Sequence, residues 1–336
     1  MMKKVGIIGG SGFAGEELIR LLTTHESTKL LAVSSRELKG KPVSQFIEES
    51  DLLFSDPEDE VFFQCDVIFF ATPHGIAMEK AKKFIQQGIK VIDLSADFRI
   101  KDPLVWKDWY NSEHQDLEGL KSSVYGLTEL NLVSIKTCDL IAVPGCYPTA
   151  SVLGLLPVVS NNYQIDSITI DAKSGISGAG RSTVQDSMME DMKENFKAYA
   201  TAGHRHLPEI KQVLEGEYKS TLKINFLPHL IPAMRGIYAT MYVNFQASIP
   251  ETIEKIYEDF YQDSPNINLM KKGEIPEISQ VAHTNNCQIG IYPSAIENQI
   301  IIISAIDNLV KGAAGQAIEC YNLISGNDQM QGLKNG

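Results

Sequence analysis

The sequence predicts two domains: an α/β domain with a parallel sheet and an α+β domain with a mostly antiparallel sheet. Three observations predict them. Over the first 147 residues, short buried apolar runs alternate with amphipathic helical stretches. The first of those runs leads into Gly9-Gly10-Ser11-Gly12-Phe13-Ala14-Gly15 at the opening of a helix. Beyond a helix ending near Ser160 the pattern changes to strands that alternate inward and outward, clearest from Ile237 to Phe245. A chain of 336 residues is long enough to give each domain its own core. The expected boundaries are 1–147 together with a C-terminal helical segment 309–336 for the first domain, and 148–308 for the second.

In the first domain, Lys4 to Ile8 reads as a buried strand and Glu16 to Thr24 as a helix with Leu18, Leu21 and Leu22 on one face. Between them Gly9, Gly12 and Gly15 make GxxGxxG. That spacing lets the backbone turn tightly, approach a pyrophosphate and aim helix N–H groups at it, as in a Rossmann dinucleotide-binding domain. The next strand, Leu30 to Val33, ends in Ser34-Ser35-Arg36. An acidic residue there would suit the ribose of NAD; hydroxyls and a guanidinium suit the 2′-phosphate of NADP. Asp66 to Ala71 is a third strand, leading through Thr72-Pro73-His74-Gly75 into a helix from Ile76 to Gln87. His74 is placed near the nicotinamide, because loops at the carboxyl ends of such strands face the cofactor. Lys90 to Asp93 is a strand, followed by Leu94 to Arg99, where Asp97 and Arg99 can pair. Residues 100–139 show no strong period and read as a long irregular segment.

Leu140 to Val143 is a buried strand, and Pro144-Gly145-Cys146-Tyr147-Pro148-Thr149-Ala150 follows. Pro148 suits the first turn of a helix, whose leading N–H groups have no partner. A cysteine there faces the positive end of the helix dipole, which favours thiolate over thiol. The competing reading of Cys146 is a small buried residue at a strand end.

In the second domain, Ser167 to Ala172, Ile237 to Phe245 and Gln299 to Ile306 read as strands. Ile253, Ile256, Tyr257 and Phe260 mark a helix, and Leu309 to Leu323 a last one returning to the first domain. Ser174 to Arg181 is rich in glycine and hydroxyls, so its N–H groups, Ser177 and Arg181 can hold an anion. Gly203-His204-Arg205-His206-Leu207-Pro208-Glu209 supplies the histidine a nucleophilic cysteine needs for proton transfer, with Glu209 able to orient one ring. On an extended chain, the i, i+2 spacing puts the two rings on opposite sides, so that one faces the sulfur. No further ligand cluster stands near them, and no metal is expected. Arg235 precedes the long alternating strand, and Asn308 and Gly312 stand where they can meet the nicotinamide amide or the thiol.

Composition excludes other classes. A net charge of −12 and a pI near 5.1 argue against nucleic acid or an anionic membrane as partner. The five cysteines (65, 138, 146, 287, 320) are odd in number and widely spaced, which points to a reducing cytoplasm. The longest apolar run is far too short to span a bilayer, and the N-terminus lacks a signal-peptide pattern. The six arginines (20, 36, 99, 181, 205, 235) lie, apart from Arg20, in loop-like stretches, as anion-binding groups do.

A nicotinamide cofactor, a thiolate, a histidine and anion-holding arginines together suggest reduction of an activated acyl group through a thioester. GGSGFAGEEL, PGCYPTA, SGISGAGR, GHRHLPEI, PHLIPAMRGI and DNLVKGAAGQA, spread over nearly the whole chain, resemble the N-acetyl-gamma-glutamyl-phosphate reductase family of the semialdehyde dehydrogenase superfamily. The resemblance implies a Rossmann domain, an α+β catalytic and dimerisation domain, and a homodimer or homotetramer. It implies NADPH-dependent conversion of N-acetyl-L-glutamyl 5-phosphate to N-acetyl-L-glutamate 5-semialdehyde and phosphate, in arginine biosynthesis. It makes Cys146 the nucleophile and His206 the acid/base, with His204 second. Arg99, Arg181, Arg205 and Arg235, with Ser177, become candidates for the substrate carboxylate and phosphate. Gly9, Ser11, Gly12, Phe13 and Gly15 match the dinucleotide loop, and Ser34 and Arg36 the 2′-phosphate position. Phe13 stands where tyrosine is common and Leu207 where threonine is common. Aspartate-semialdehyde dehydrogenase and a reductase of carrier-bound aminoadipyl phosphate are the nearest rivals, and a non-catalytic NADP-binding regulator is a rival of another class.

Overall fold

The structure, a computed structural model, describes residues 2–48, 50–161, 163–181, 183–184, 190–249 and 253–333. The last three residues of the expected C-terminal segment lie outside it. Contacts divide the chain into one unit of Met1–Gly145 with Ala313–Lys334 and another built from Cys146–Gly312. The first division falls just before Cys146, where the sequence placed it just after Tyr147. The second falls inside the C-terminal helical segment. There a π-type turn, Val310–Ala314, precedes the α-helix Gly315–Ser325. No helix among the described residues is long and apolar enough to cross a membrane.

In the first unit, β1 (Lys3–Ile8), α1 (Phe13–Thr23), β2 (Thr28–Ser34), β3 (Phe54–Ser55), β4 (Val67–Phe70), α2 (Ile76–Ile85) and β5 (Lys90–Asp93) follow one another. The parallel sheet runs β3-β2-β1-β4-β5, then β7 (Leu140–Ala142) and β6 (Val124–Tyr125). Strand order reverses between β1 and β4, which opens a crevice at their carboxyl ends. Both faces are covered, which is why β4 reads Val-Ile-Phe-Phe without a polar break. Phe69 packs with Leu18, Leu22, Ile318 and Tyr321 on one face. Ile68 and Phe70 pack with Ala77, Phe84 and Trp106 on the other.

The segment 100–139 is not irregular. It holds α3 (Pro103–Tyr110), α4 (Leu117–Ser122), β6 and α5 (Thr128–Ile135). Caps, not period, set the first two helices. The Asp102 carboxylate accepts the N–H groups of Leu104 (2.8 Å) and Val105 (3.4 Å) with Pro103 in the first turn. Asp116 accepts from Gly119 (2.8 Å). Trp106 is fully buried and stacks on Tyr110 at 4.9 Å.

The second unit opens with α6 (Cys146–Val159), buried on every side except at Cys146. The strands are β8 (Ile165–Ser174), β9 (Lys197–Ala198), β10 (Ile224–Leu230), β11 (Ile237–Phe245), β12 (Ile267–Leu269), β13 (Cys287–Pro293) and β14 (Gln299–Ile306). Their sheet, in the order β12-β13-β14-β11-β8-β10-β9, is mixed. The central pairs β13–β14, β14–β11 and β11–β8 are antiparallel, while β8–β10 and β12–β13 are parallel. α6 lies against this sheet at Gly154, where a Cβ would stand 2.4 Å from Met241 Cε. Pro157, inside α6, has no N–H to give the Leu153 carbonyl, and the Tyr261 hydroxyl donates to that carbonyl instead. The Tyr257 hydroxyl donates to the next one, Gly154 O, at 2.6 Å.

Candidate active site

The crevice of the first unit is built from β1 and the loop after it. Gly9 has φ +93°, and a Cβ there would sit 2.6 Å from the Ala71 carbonyl oxygen, so only glycine permits the turn. A Cβ at Gly15 would sit 2.6 Å from Gly9 O, so the third glycine lets α1 close onto the loop. Gly12 caps α1 with nothing within 4 Å of its missing Cβ, which leaves that side open to a pyrophosphate. These are the contacts a dinucleotide loop needs, and Phe13 begins the helix behind it.

Ser34, expected at a 2′-phosphate, is fully buried, and its hydroxyl accepts the Gly9 N–H at 3.3 Å. It holds the loop from beneath. Ser35 Oγ donates to Ser11 Oγ at 3.0 Å and ties the same loop to the end of β2. Arg36 is exposed, with its charge felt at Asp56. His74 is exposed, and its ring lies 5.2 Å from that of Tyr110. Asp97 accepts the N–H groups of Gly75 (2.7 Å) and Met78 (3.0 Å), so it caps α2. Arg99 donates through Nε to Val143 O and through Nη2 to Leu94 O, both at 2.7 Å. These bonds brace the end of β7. Beside them, burial first and then the Asp97 charge push the Asp93 carboxyl up to about 7.

In the second unit Cys146 is the first residue of α6 and keeps partial exposure, while the thirteen residues after it are buried. Gly312 presses on it: a Cβ at 312 would stand 2.9 Å from Cys146 Cβ. Asn308 joins two loops, its Oδ1 accepting the Gly236 N–H (2.7 Å) and its Nδ2 donating to Ser177 Oγ (2.9 Å). Both Asn308 and Ser177 are almost fully buried. Asp307, fully buried, accepts from His283 N at 2.7 Å and pairs with Arg235 Nη1 at 3.4 Å. A buried carboxylate thus aims Arg235, whereas Arg181 and Arg205 are exposed.

The two histidines are not on opposite sides. The chain turns instead of extending: His206 is helical (φ −82°, ψ −17°), and its N–H donates to His204 Nδ1 at 3.2 Å. The ring centroids are 4.8 Å apart, and Tyr147 meets both edge-on, at 5.7 Å for His204 and 5.9 Å for His206. Tyr199 Oη donates to Tyr147 Oη (3.1 Å), and Tyr147 Oη donates to His229 O (3.1 Å). Burial, then the neighbouring Tyr199 hydroxyl and the Cys146 sulfur, push the Tyr147 hydroxyl up. Burial and the Cys146 sulfur push Tyr199 up to about 12. Both phenols therefore stand close enough to Cys146 to feel its charge. Burial, with help from Arg205, pushes His204 down to about 4. Glu209 is buried in the first turn of the helix Leu207–Tyr218.

Sequence reasoning did not single out Tyr147 or Tyr199. Tyr147 could have been found from its place beside the cysteine; nothing near Tyr199 in sequence signals its role. Among the described residues no group of three or more His, Cys, Asp or Glu could hold a metal ion.

Comparison with known proteins follows the two units. The family "Semialdehyde dehydrogenase, NAD binding domain" matches residues 4–138, and "Semialdehyde dehydrogenase, dimerisation domain" matches 146–308. The N-acetyl-gamma-glutamyl-phosphate reductase of Nitrosococcus oceani is 42% identical over 99% of this chain and 98% of its own. That of Nitrosospira multiformis is 44% identical over 97% and 96%. Among solved structures, aspartate semialdehyde dehydrogenase II of Vibrio cholerae superposes with a TM-score of 0.74 at 15% identity, covering 97% of this chain and 99% of that one. The aspartate semialdehyde dehydrogenase of Candida albicans, solved with NADP, gives 0.71 at 18%, covering 97% and 99%. The solved structures share the fold, and the full-length sequence relatives decide among its members: the chain belongs to the N-acetyl-gamma-glutamyl-phosphate reductases of the semialdehyde dehydrogenase family.

Proposed function

We propose that the protein reduces N-acetyl-L-glutamyl 5-phosphate to N-acetyl-L-glutamate 5-semialdehyde and phosphate, a step of arginine biosynthesis, through a thioester on Cys146. The observation that carries the mechanism is the partly exposed Cys146 at the first position of a buried helix, in the same unit as two histidines gathered on Tyr147. The helix N–H groups favour the thiolate, which attacks the acyl carbon as the carbon–oxygen bond to phosphate breaks. NADPH, when bound, supplies the hydride that reduces the thioester carbonyl. His206 holds the proton needed at the carbonyl oxygen and takes it back as the thiohemiacetal collapses, so that the thiolate leaves and the aldehyde is released. Arg235, aimed by Asp307, and the exposed Arg181 and Arg205 are the cations for the substrate's carboxylate and phosphate. The loop of Gly9, Ser11, Gly12, Phe13 and Gly15 holds the cofactor pyrophosphate. Arg36, exposed beyond β2, selects NADP through the 2′-phosphate. The protein works as a homodimer or homotetramer, in keeping with the dimerisation-domain match over 146–308.

The test runs the reaction backwards, because acyl phosphates hydrolyse. N-acetylglutamate semialdehyde, phosphate and NADP⁺ are supplied, and NADPH absorbance is followed with and without phosphate, beside aspartate semialdehyde. Phosphate-dependent turnover preferring the acetylglutamyl aldehyde is expected. Preference for aspartate semialdehyde would overturn the substrate and keep the chemistry.

A further inference from the structure

We propose that His204 is a positioning residue: clasped by Tyr147, Tyr199 and Phe226, it holds the turn that carries His206 and leaves proton transfer to His206. This rests on the reading of Cys146 as nucleophile and His206 as its proton partner.

The hydrogen bond decides the tautomer. His204 Nδ1 accepts the N–H of His206 at 3.2 Å, so its lone pair is engaged and the ring proton sits on Nε2. Protonation at Nδ1 would set two N–H donors face to face and break the turn. The Leu207 N–H, donating to His204 O at 2.9 Å, closes that same turn and starts the helix Leu207–Tyr218. Taking up a proton at His204 therefore dismantles the geometry that places His206.

The surroundings oppose that proton as well. Tyr199 lies edge-on at 5.6 Å and Tyr147 edge-on at 5.7 Å from the His204 ring, and Phe226 lies tilted at 5.7 Å. The Tyr147, Tyr199 and Phe226 rings packed on it carry no charge at neutral pH, the Cys146 sulfur lies beyond the two phenols, and the charge that acts on the ring is the Arg205 cation. Burial and Arg205 hold His204 far below the usual histidine range, at about 4. A proton carrier works best with a pKa near the working pH, which this ring does not have.

The clasp is anchored. The Tyr199 N–H donates to Pro228 O at 3.1 Å, which fastens it to β10. Its hydroxyl continues through Tyr147 Oη to His229 O on the same strand. Tyr147, covalently next to Cys146, thus links the nucleophile's helix, β10 and both imidazoles.

The experiment pairs histidine side-chain 15N NMR of the whole enzyme with pH–rate profiles of variants. In the wild-type protein the His204 ring, identified by its disappearance in His204→Asn, is expected to stay neutral with the proton on Nε2 at pH 6. His204→Asn, whose side-chain oxygen can accept the same N–H in an Asx-turn, is expected to keep the near-neutral limb of kcat, with a loss of roughly tenfold or less. His204→Phe keeps a ring but no acceptor, and should lose more while retaining the limb. His206→Asn should remove the limb and cost about 10²-fold or more. A His204 ring charged at pH 6, or loss of the limb in His204→Asn, would overturn the proposal. A limb that survives in both His204→Asn and His206→Asn would instead remove His206 from proton transfer, and with it the reading on which the proposal rests.

Discussion

The nucleophilic role proposed for Cys146 rests on position: every later residue of α6 is buried, and only the first keeps access to solvent at the helix end that favours negative charge. Cys146→Ser should lose turnover by orders of magnitude while NADPH still binds, as intrinsic fluorescence quenching would show. Retained turnover would sink the covalent route. Gly312→Val inserts atoms where even a first Cβ would stand 2.9 Å from Cys146 Cβ. A displaced nucleophile can cost ~10²-fold in rate, so kcat should fall much further than cofactor affinity. Arg36→Ala should weaken NADPH selectively over NADH, and an equal effect on both would take Arg36 away from the 2′-phosphate. The glycine turn and the cysteine at a helix start were legible because their placement follows from local spacing. Ser34 was misplaced because sequence cannot tell a hydroxyl facing a ligand from one that accepts the N–H of Gly9 beneath the loop.

Elements with a strong period were legible to within a few residues: β11 and β14 span the predicted residues. Short capped helices were not. α3 and α4 have eight and six residues, too few for a period to accumulate, and they exist because Asp102 and Asp116 cap them and Trp106 buries. Asp102→Ala should therefore cost about 1 kcal/mol, read as a lowered midpoint in urea unfolding. Tyr261→Phe tests the other device. It removes the donor that serves Leu153 O above Pro157 and should cost about 1–3 kcal/mol, the usual penalty for an unpaired buried carbonyl. A neutral result would mean that carbonyl is satisfied by another group.

At the scale of the whole molecule, stability acquires a pH dependence from the buried Asp93. Its carboxyl is raised from 3.8 to about 7, so the folded state keeps a proton that the unfolded state has lost between those values. Stability contributed by the neutral form is complete below the unfolded pKa and drains away as pH rises toward 7. Asp93→Asn keeps an acceptor for Ser95 and cannot ionise. Its stability relative to wild type should rise between pH 4 and 7, by up to about 4 kcal/mol. A constant difference across that range would show that Asp93 is ionised throughout.

What the sequence by itself determined was the order of units, the glycine turn after β1 and a cysteine at the start of a helix. All three rest on hydrophobic period and on glycine or cysteine beside a helix start, which are properties of neighbours along the chain. What only the tertiary structure decided was which side chains share a site. The hydroxyl chain from Tyr199 through Tyr147 to His229 O and the buried Asp307 that aims Arg235 join residues far apart in sequence. Such bonds depend on where separate strands bring their ends, and no local pattern records that.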